Sequence, residues 1–285
     1  MRTYQGSIIT KTPITPSGPY QCGAASGVWT IDQMVGWQKA GLWPTAGNAY
    51  GTVGIFAIGN CTTTRNKYTY SGCVNASATA SSAASSSGSA VGNSTVGIFA
   101  LGIVCGVGPS TTRNKYTYSG DVNASATASS AASYVGSAAG NSTVGIFALG
   151  NVSGVGQSTT RDKYTYSGCV NASGTAASAV SYAGSAAGNS TVGIFAIGNT
   201  TTCRNKYTYS GDVNASATAS SASSRGGAAA GNSTVGIFAL GYVSGASTTR
   251  DKYTYSGCVV SSGAAASAAS YFGSAASNGT TGVNV

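Results

Sequence analysis

TVGIFALGNVSGVGQSTTRDKYTYSG, residues 143–168, decides the fold, because both of its halves return along the whole chain. The phenylalanine of GIFA recurs at Phe56, Phe99, Phe147, Phe195 and Phe238, at intervals of 43, 48, 48 and 43 residues. Each copy runs on into R-[ND]-K-Y-T-Y-S-G, beginning at Arg65, Arg113, Arg161, Arg204 and Arg250. Self-similarity at a period of this length marks a propeller, a solenoid or an array. Within the quoted unit, TVGIFALG is a short apolar run bounded by glycine and reads as a strand covered on both faces. NVSGVGQS is a loop of turn-forming residues that varies among units. TTRDKYTYSG alternates with period two: Arg161, Lys163 and Thr165 face one way, Asp162, Tyr164 and Tyr166 the other.

Working outward, AASYVGSAAG (131–140) supplies a first strand of small residues and CVNASGTA (169–176) a weaker fourth. Four short strands without helical periodicity make one meander sheet. The expected fold is all-β, a five-bladed β-propeller of four-stranded blades over residues 46–285. A solenoid is the alternative, but it needs capping repeats with polar outer faces. The array starts near residue 46 at a second strand, AGNAYGTVGIFAIG, and ends at a first strand, AASAASYFGSAAS (265–277). The C-terminal strand is therefore expected to close the ring by completing the first blade. Small residues in the innermost strands predict a nearly plugged axial channel.

Only 7% of residues are charged while 42% are hydrophobic, which suits a packed, hydroxyl-rich β-protein and not a disordered chain. There is no histidine and no glutamate. His-based acid–base catalysis, a Ser–His–Asp triad and His-ligated metal sites are thereby excluded. Two carboxylates suffice for glycoside hydrolysis. Yet Asp121, Asp162, Asp212 and Asp251 stand at positions where sister units hold Asn or Cys, which reads as an exchangeable surface position. The expectation is a non-enzymatic protein without cofactor or metal. Seven cysteines include no C-x-x-C pair. Cys73, Cys169 and Cys258 occupy equivalent positions on separate blades, too far apart to bond, so free thiols and folding in a reducing compartment are expected. The N-terminus lacks the apolar core of a signal peptide, and no apolar stretch is long enough to span a membrane.

Ten of the 14 lysines and arginines fall in the repeats, at Arg65, Lys67, Arg113, Lys115, Arg161, Lys163, Arg204, Lys206, Arg250 and Lys252. They form a candidate cationic ring, one pair per blade. Such a ring either docks acidic polymers or serves solubility. The tyrosine pairs, Tyr68/Tyr70 through Tyr253/Tyr255, either pack between blades or stack on sugars. Asn93, Asn141, Asn189 and Asn232 read as turn residues before strands. No module for nucleic acid accompanies the net charge of +9. The three tryptophans, Trp29, Trp37 and Trp43, all precede the repeats. Thr30 and Gln33 have capping-box spacing, so a short helix is predicted from Ile31, with Gly41 and Pro44 ending it. The tryptophans form either a local core or anchors inserted into a partner.

The unit resembles a degenerate kelch repeat: GIFALG stands at the apolar second strand and RDKYTYSG at the tyrosine-bearing third. One glycine of the kelch pair is present (Gly59, Gly102, Gly150, Gly198, Gly241). The fourth-strand tryptophan is absent, and only Arg225 could match the first-strand arginine. NSTVGIFALG and TTRNKYTYSG are also similar to repeats encoded in bacteriophage genomes. SGVWTIDQMVGWQKAGLWP (26–44) resembles a G-x-W…W-P segment near the start of virion fibre and appendage proteins, matched here at Gly27, Trp29, Trp43 and Pro44. The resemblance implies a virion protein, made in the host cytoplasm, in which residues 1–45 attach to other virion proteins and residues 46–285 are displayed in multiple copies. Adhesion to host-surface glycans as a tail or head fibre is the implied role. Capsid or tail decoration, and a free lectin-like propeller, are the alternatives.

Overall fold

The computed structural model describes residues 53–69, 74–119, 121–167, 170–256 and 259–275, with Asp32, Gln33, Val35 and Gly36 ahead of them. Those four are helical and exposed, within the stretch where the capping-box spacing predicts a helix. The rest is all-β. In the quoted unit, Ser137–Gly140, Val144–Ala148, Arg161–Thr165 and Val170–Gly174 pair as consecutive antiparallel strands. The register aligns Ala138 with Phe147, Phe147 with Asp162, and Asp162 with Ser173. The same meander forms in the second, fourth and fifth units. The first unit holds three strands, Val53–Ala57, Arg65–Thr69 and Val74–Ala78. This is a β-propeller-like arrangement of small sheets following the repeat.

The first strand is shorter than AASYVGSAAG suggests. Val135 has a left-handed φ of 49°, which breaks the segment in two. Ser137–Gly140 joins the main sheet, while Ser133–Tyr134 pairs with Asn151–Val152 in a separate small sheet. The loop NVSGVGQS is itself a hairpin, Asn151–Val152 against Gly156–Gln157. Close approach explains the glycines of VGIFA and SAAG. A Cβ on Gly145 would sit 2.9 Å from the Tyr166 hydroxyl, and one on Gly140 2.8 Å from it.

The core lies between neighbouring sheets. Val91 and Ile98 of the second unit pack with Phe147, Tyr164 and Tyr166 of the third. Seven tyrosines of the repeated pairs are buried there, which selects inter-unit packing over sugar stacking for them. Adjacent residues of a strand point to opposite faces, so Arg161 faces the unit ahead and Asp162 the unit behind. Arg113 reaches forward, donating to Asp162 Oδ2 (2.8 Å) and Asn171 Oδ1 (2.7 Å), with its guanidinium 4.4 Å from the Phe147 ring centroid. Arg65 does the same with Asn114, Asn123 and Phe99, and Arg161 with Asn205, Asn214 and Phe195. Arg204 holds Asp251 (2.8 Å) and lies over Phe238. The two repeat signatures are thus halves of one contact: the arginine of one unit meets the GIFA phenylalanine and the [ND] side chain of the next.

Three expectations are corrected by this packing. Arg65, Arg113, Arg161 and Arg204 are at most 2% exposed, so the ten-residue cationic ring does not form on the surface. Arg250 is half-buried; Lys67, Lys115, Lys163 and Lys206 are half-buried and Lys252 is exposed. Asp162 and Asp251 are interior as well, not exchangeable surface residues. Exchange with Asn is possible there because a serine hydroxyl changes role. Ser130 Oγ donates to Asp162 Oδ1 (2.6 Å), whereas Ser82 Oγ accepts from Asn114 Nδ2 (2.7 Å). Burial pushes the Arg65 and Arg161 guanidiniums, which face neutral asparagines, down to about 10. Burial also lowers Arg113 and Arg204, partly offset by Asp162 and Asp251.

The third correction concerns thiols. Cys61 and Cys105 form a disulfide with Cα atoms 5.6 Å apart. They are not equivalent positions, so the distance between blades does not forbid it. Thr62 bridges to Ser85, and Ser85 pairs with Val104 in the next unit's hairpin, which brings the two cysteines across one short strand. Cys203 is free and exposed. Cys22, Cys73, Cys169 and Cys258 lie outside the described residues.

Candidate functional site at the axial mouth

The five units differ most at two adjacent positions and in the hairpins beside them. Between a fixed serine and a fixed glycine stand Ser86-Ser87, Tyr134-Val135, Tyr182-Ala183, Arg225-Gly226 and Tyr271-Phe272. The second residue of each pair is left-handed, with φ of 56°, 49°, 48°, 61° and 52° in chain order. That conformation lets each unit bond the one before it. Val135 N donates to Ser87 O (2.9 Å), Ala183 N to Val135 O (3.0 Å), Gly226 N to Ala183 O (2.7 Å) and Phe272 N to Gly226 O (2.7 Å). Five equivalent residues, linked head to tail, thus line one opening where the inner strands converge.

A cavity of about 410 Å3 lies at this opening. Its wall carries all five left-handed residues, the serines Ser89, Ser137, Ser185 and Ser274, and Ala57–Asn60 with Thr62 of the first unit. Deeper along the strands, Val91, Ala139 and Ala187 are fully buried. At the mouth, where a nearly plugged axis is expected, the cavity is open.

Around the rim, Tyr271 and Phe272 are 55% and 59% exposed. Tyr271 meets Tyr242 edge-on at 6.1 Å and Phe272 at 5.5 Å, while the Arg225 guanidinium lies 5.1 Å from the Tyr242 ring centroid. The hairpins on this side carry Val107 and Val155, both strongly exposed. On the opposite side the asparagine turns are uniform. Asn141 Oδ1 accepts from the Thr143 and Val144 amides (both 2.9 Å), and its Nδ2 donates to Ser190 O of the next unit (3.1 Å). This is the turn role expected of these asparagines.

None of the sequence-derived site residues lines this mouth except Arg65, whose guanidinium is committed to Asn114 and Asn123. Trp29, Trp37 and Trp43 lie outside the described residues. The mouth was nonetheless signalled in the sequence, by two variable residues inside an otherwise constant S-x-x-G. Among the described residues there is no cluster of metal-ligating side chains, and no helix is long and apolar enough to cross a membrane.

No family model and no curated protein matches the sequence. Among solved structures, that of YjhT is similar, with a TM-score of 0.62 over 79% of this chain and 84% of that one, at 9% identity. At that identity the likeness shows the fold alone: an all-β, propeller-like arrangement of small antiparallel sheets.

Proposed function

We propose that residues 46–285 form a five-bladed propeller closed by the C-terminal strand, and that this propeller is the recognition part of a non-enzymatic bacteriophage fibre or appendage. In this reading residues 1–45 attach the chain to other virion proteins, and the protein is carried in multiple copies on the particle. Closure is supported by the first unit. Among the described residues it has three strands where its sisters have four, and Ala57–Asn60 with Thr62 share one cavity with Phe272, Gly273 and Ser274. Phe56 and Arg250, the halves left over from the four inter-unit contacts, would then meet each other.

The observation that carries the recognition role is the concentration of variation at the mouth, where the S-x-x-G pairs differ in every unit. Most interior positions repeat from unit to unit, while the S-x-x-G pairs and neighbouring hairpins diverge. A scaffold that repeats its core and varies one rim has the anatomy of a binding surface. The resemblance of residues 26–44 and of the repeats to virion proteins supports the setting.

Purified particles should contain the chain by mass spectrometry, and the purified full chain should bind host cells and slow adsorption of the phage. Its absence from washed particles would remove the virion reading. Binding to no envelope fraction of the host would remove adhesion.

A further inference from the structure

We propose that the axial mouth binds the uncharged end of a sugar chain. The proposal rests on reading the variable face as the recognition surface, and it names the chemistry that the surface holds. Left-handed backbone disfavours any side chain, and a β-branched one most. Gly226 shows that the repeat accommodates glycine at this position, yet Ser87, Val135, Ala183 and Phe272 keep side chains there. Strain of this kind concentrates where a side chain serves a binding site. The five positions are also where the repeats differ, so each unit contributes a different group to one ring.

The wall fits a neutral sugar. It offers the hydroxyls of Ser87, Ser137, Ser185 and Ser274, each able to donate and accept, and the open face of Phe272. A sugar ring presents hydroxyls around its edge and C–H bonds on its face, which are met by such hydroxyls and by an aromatic ring. Among the described residues no carboxylate lines the cavity, and the one guanidinium, Arg65, is held by two asparagines. Arg225 is outside the lining and lies against Tyr242, so an acidic sugar would find its countercharge on the rim and not in the cavity. The lining runs down the inner strands to Ala90, Ala138, Ala186 and Ala229 and no further, which suits a chain terminus over a chain passing through. A strand closing the first unit would cover Ala57–Asn60, Thr62 and Thr64, draw the Phe272 carbonyl over Gly59 and leave the other four ring positions in place.

Saturation-transfer NMR of the full chain with cellotetraose, maltotetraose and chitotetraose as neutral probes, and trigalacturonate as the acidic one, tests this. Saturation should reach a terminal sugar of at least one neutral probe. Ala183→Phe places in the ring the side chain that the equivalent Phe272 carries, and should weaken that binding at least about tenfold. Val135→Phe serves as the second blocking variant should Ala183→Phe not fold. Phe272→Ala should weaken binding similarly and Phe272→Tyr should retain it. Binding to none of the neutral probes, binding unchanged by both blocking variants, or binding of trigalacturonate alone and lost in Arg225→Ala would each overturn the proposal. Sugar binding without any effect on phage adsorption would leave the site standing and remove the adhesion reading. Blocked adsorption without sugar binding would do the reverse.

Discussion

In three of the four described inter-unit sites, an outer-strand asparagine takes the second terminal nitrogen of the buried arginine. Asn123, Asn171 and Asn214 do so at 2.7 Å each. In the fourth site Val260 stands in that place, and Arg204 Nη1 is buried without a partner among the described residues. A hydrogen bond to a buried charged group contributes roughly 1.5–3 kcal/mol. Val260 is half-buried and its loss costs part of its packing, so Val260→Asn should stabilise the protein by about 1 kcal/mol, read as a higher urea midpoint at unchanged slope. An unchanged or lowered midpoint would show that the orphan nitrogen is satisfied some other way. The repeats also foretell how Asp162 behaves. Asn fills the equivalent position at Asn114 and Asn205, with serine reversing its hydroxyl, so Asp162→Asn should cost no more than about 1 kcal/mol. Asp162→Ala strands Arg113 and should cost about 3–5 kcal/mol; equal losses for the two variants would refute the hydroxyl-switch account. These arginines were misplaced by sequence because alternation assigns a residue to a face without saying what covers it. Charge then argued for solvent, whereas the neighbouring unit's Phe and Asn or Asp cover that face.

The strand elements were legible where hydrophobic pattern specifies them: GIFA and R-[ND]-K-Y-T pair in every unit as their periodicity requires. The break at Val135 was not, since a left-handed valine has no local signal and is imposed by the chain of inter-unit hydrogen bonds. The disulfide was missed for a related reason, because only the hairpin after Leu101 brings Cys105 back toward Cys61. It closes a loop with a sequence separation of 44, which constrains the unfolded chain by roughly 4 kcal/mol on the entropic account. Cys61→Ser with Cys105→Ser should therefore unfold at lower denaturant, by about 2–4 kcal/mol; a loss below about 0.5 kcal/mol would mean that the bond adds nothing beyond the packing around it. The third strands carry a pH signature too. Burial pushes the Tyr166, Tyr209 and Tyr255 phenols upward. Their folded pKa values lie above the unfolded value near 10, so their contribution is complete below about pH 10 and is lost as pH rises beyond it. The lowered guanidiniums act with the opposite sign in the same alkaline range and offset part of that loss. The phenol step itself should be sharp: absorbance at 295 nm from these tyrosines should appear together with loss of the β circular dichroism. Smooth ionisation near pH 10 with the β signal intact would show that water reaches the hydroxyls.

At the scale of the whole molecule, the repeat period was enough to reach an all-β, propeller-like architecture, because five copies of a two-faced sheet can bury their faces only on one another. What the period cannot convey is the state of the join, and Gly59 reports on it. Gly59 and Gly150 are equivalent and have nearly the same φ, 69° and 72°. A Cβ on Gly150 would lie 2.5 Å from Val135 O, the carbonyl of its own unit's inner segment, whereas one on Gly59 meets nothing within 4 Å. Consistently, Ile58 is 49% exposed while its counterpart Leu149 is 4% exposed. If the C-terminal strand docks against Val53–Ala57, as proposed, the Phe272 carbonyl comes to stand over Gly59 as Val135 stands over Gly150. Gly59→Ala would then add a steric clash to the left-handed penalty and cost more than about 3 kcal/mol, close to the loss in Gly150→Ala. If the first unit keeps an open inner edge, only the backbone penalty of roughly 1–2 kcal/mol remains. Comparing the denaturant midpoints of the two alanine variants decides between them: near-equal losses are expected, and a Gly59→Ala protein much more stable than Gly150→Ala would mean that the ring is not closed by this chain's own strand.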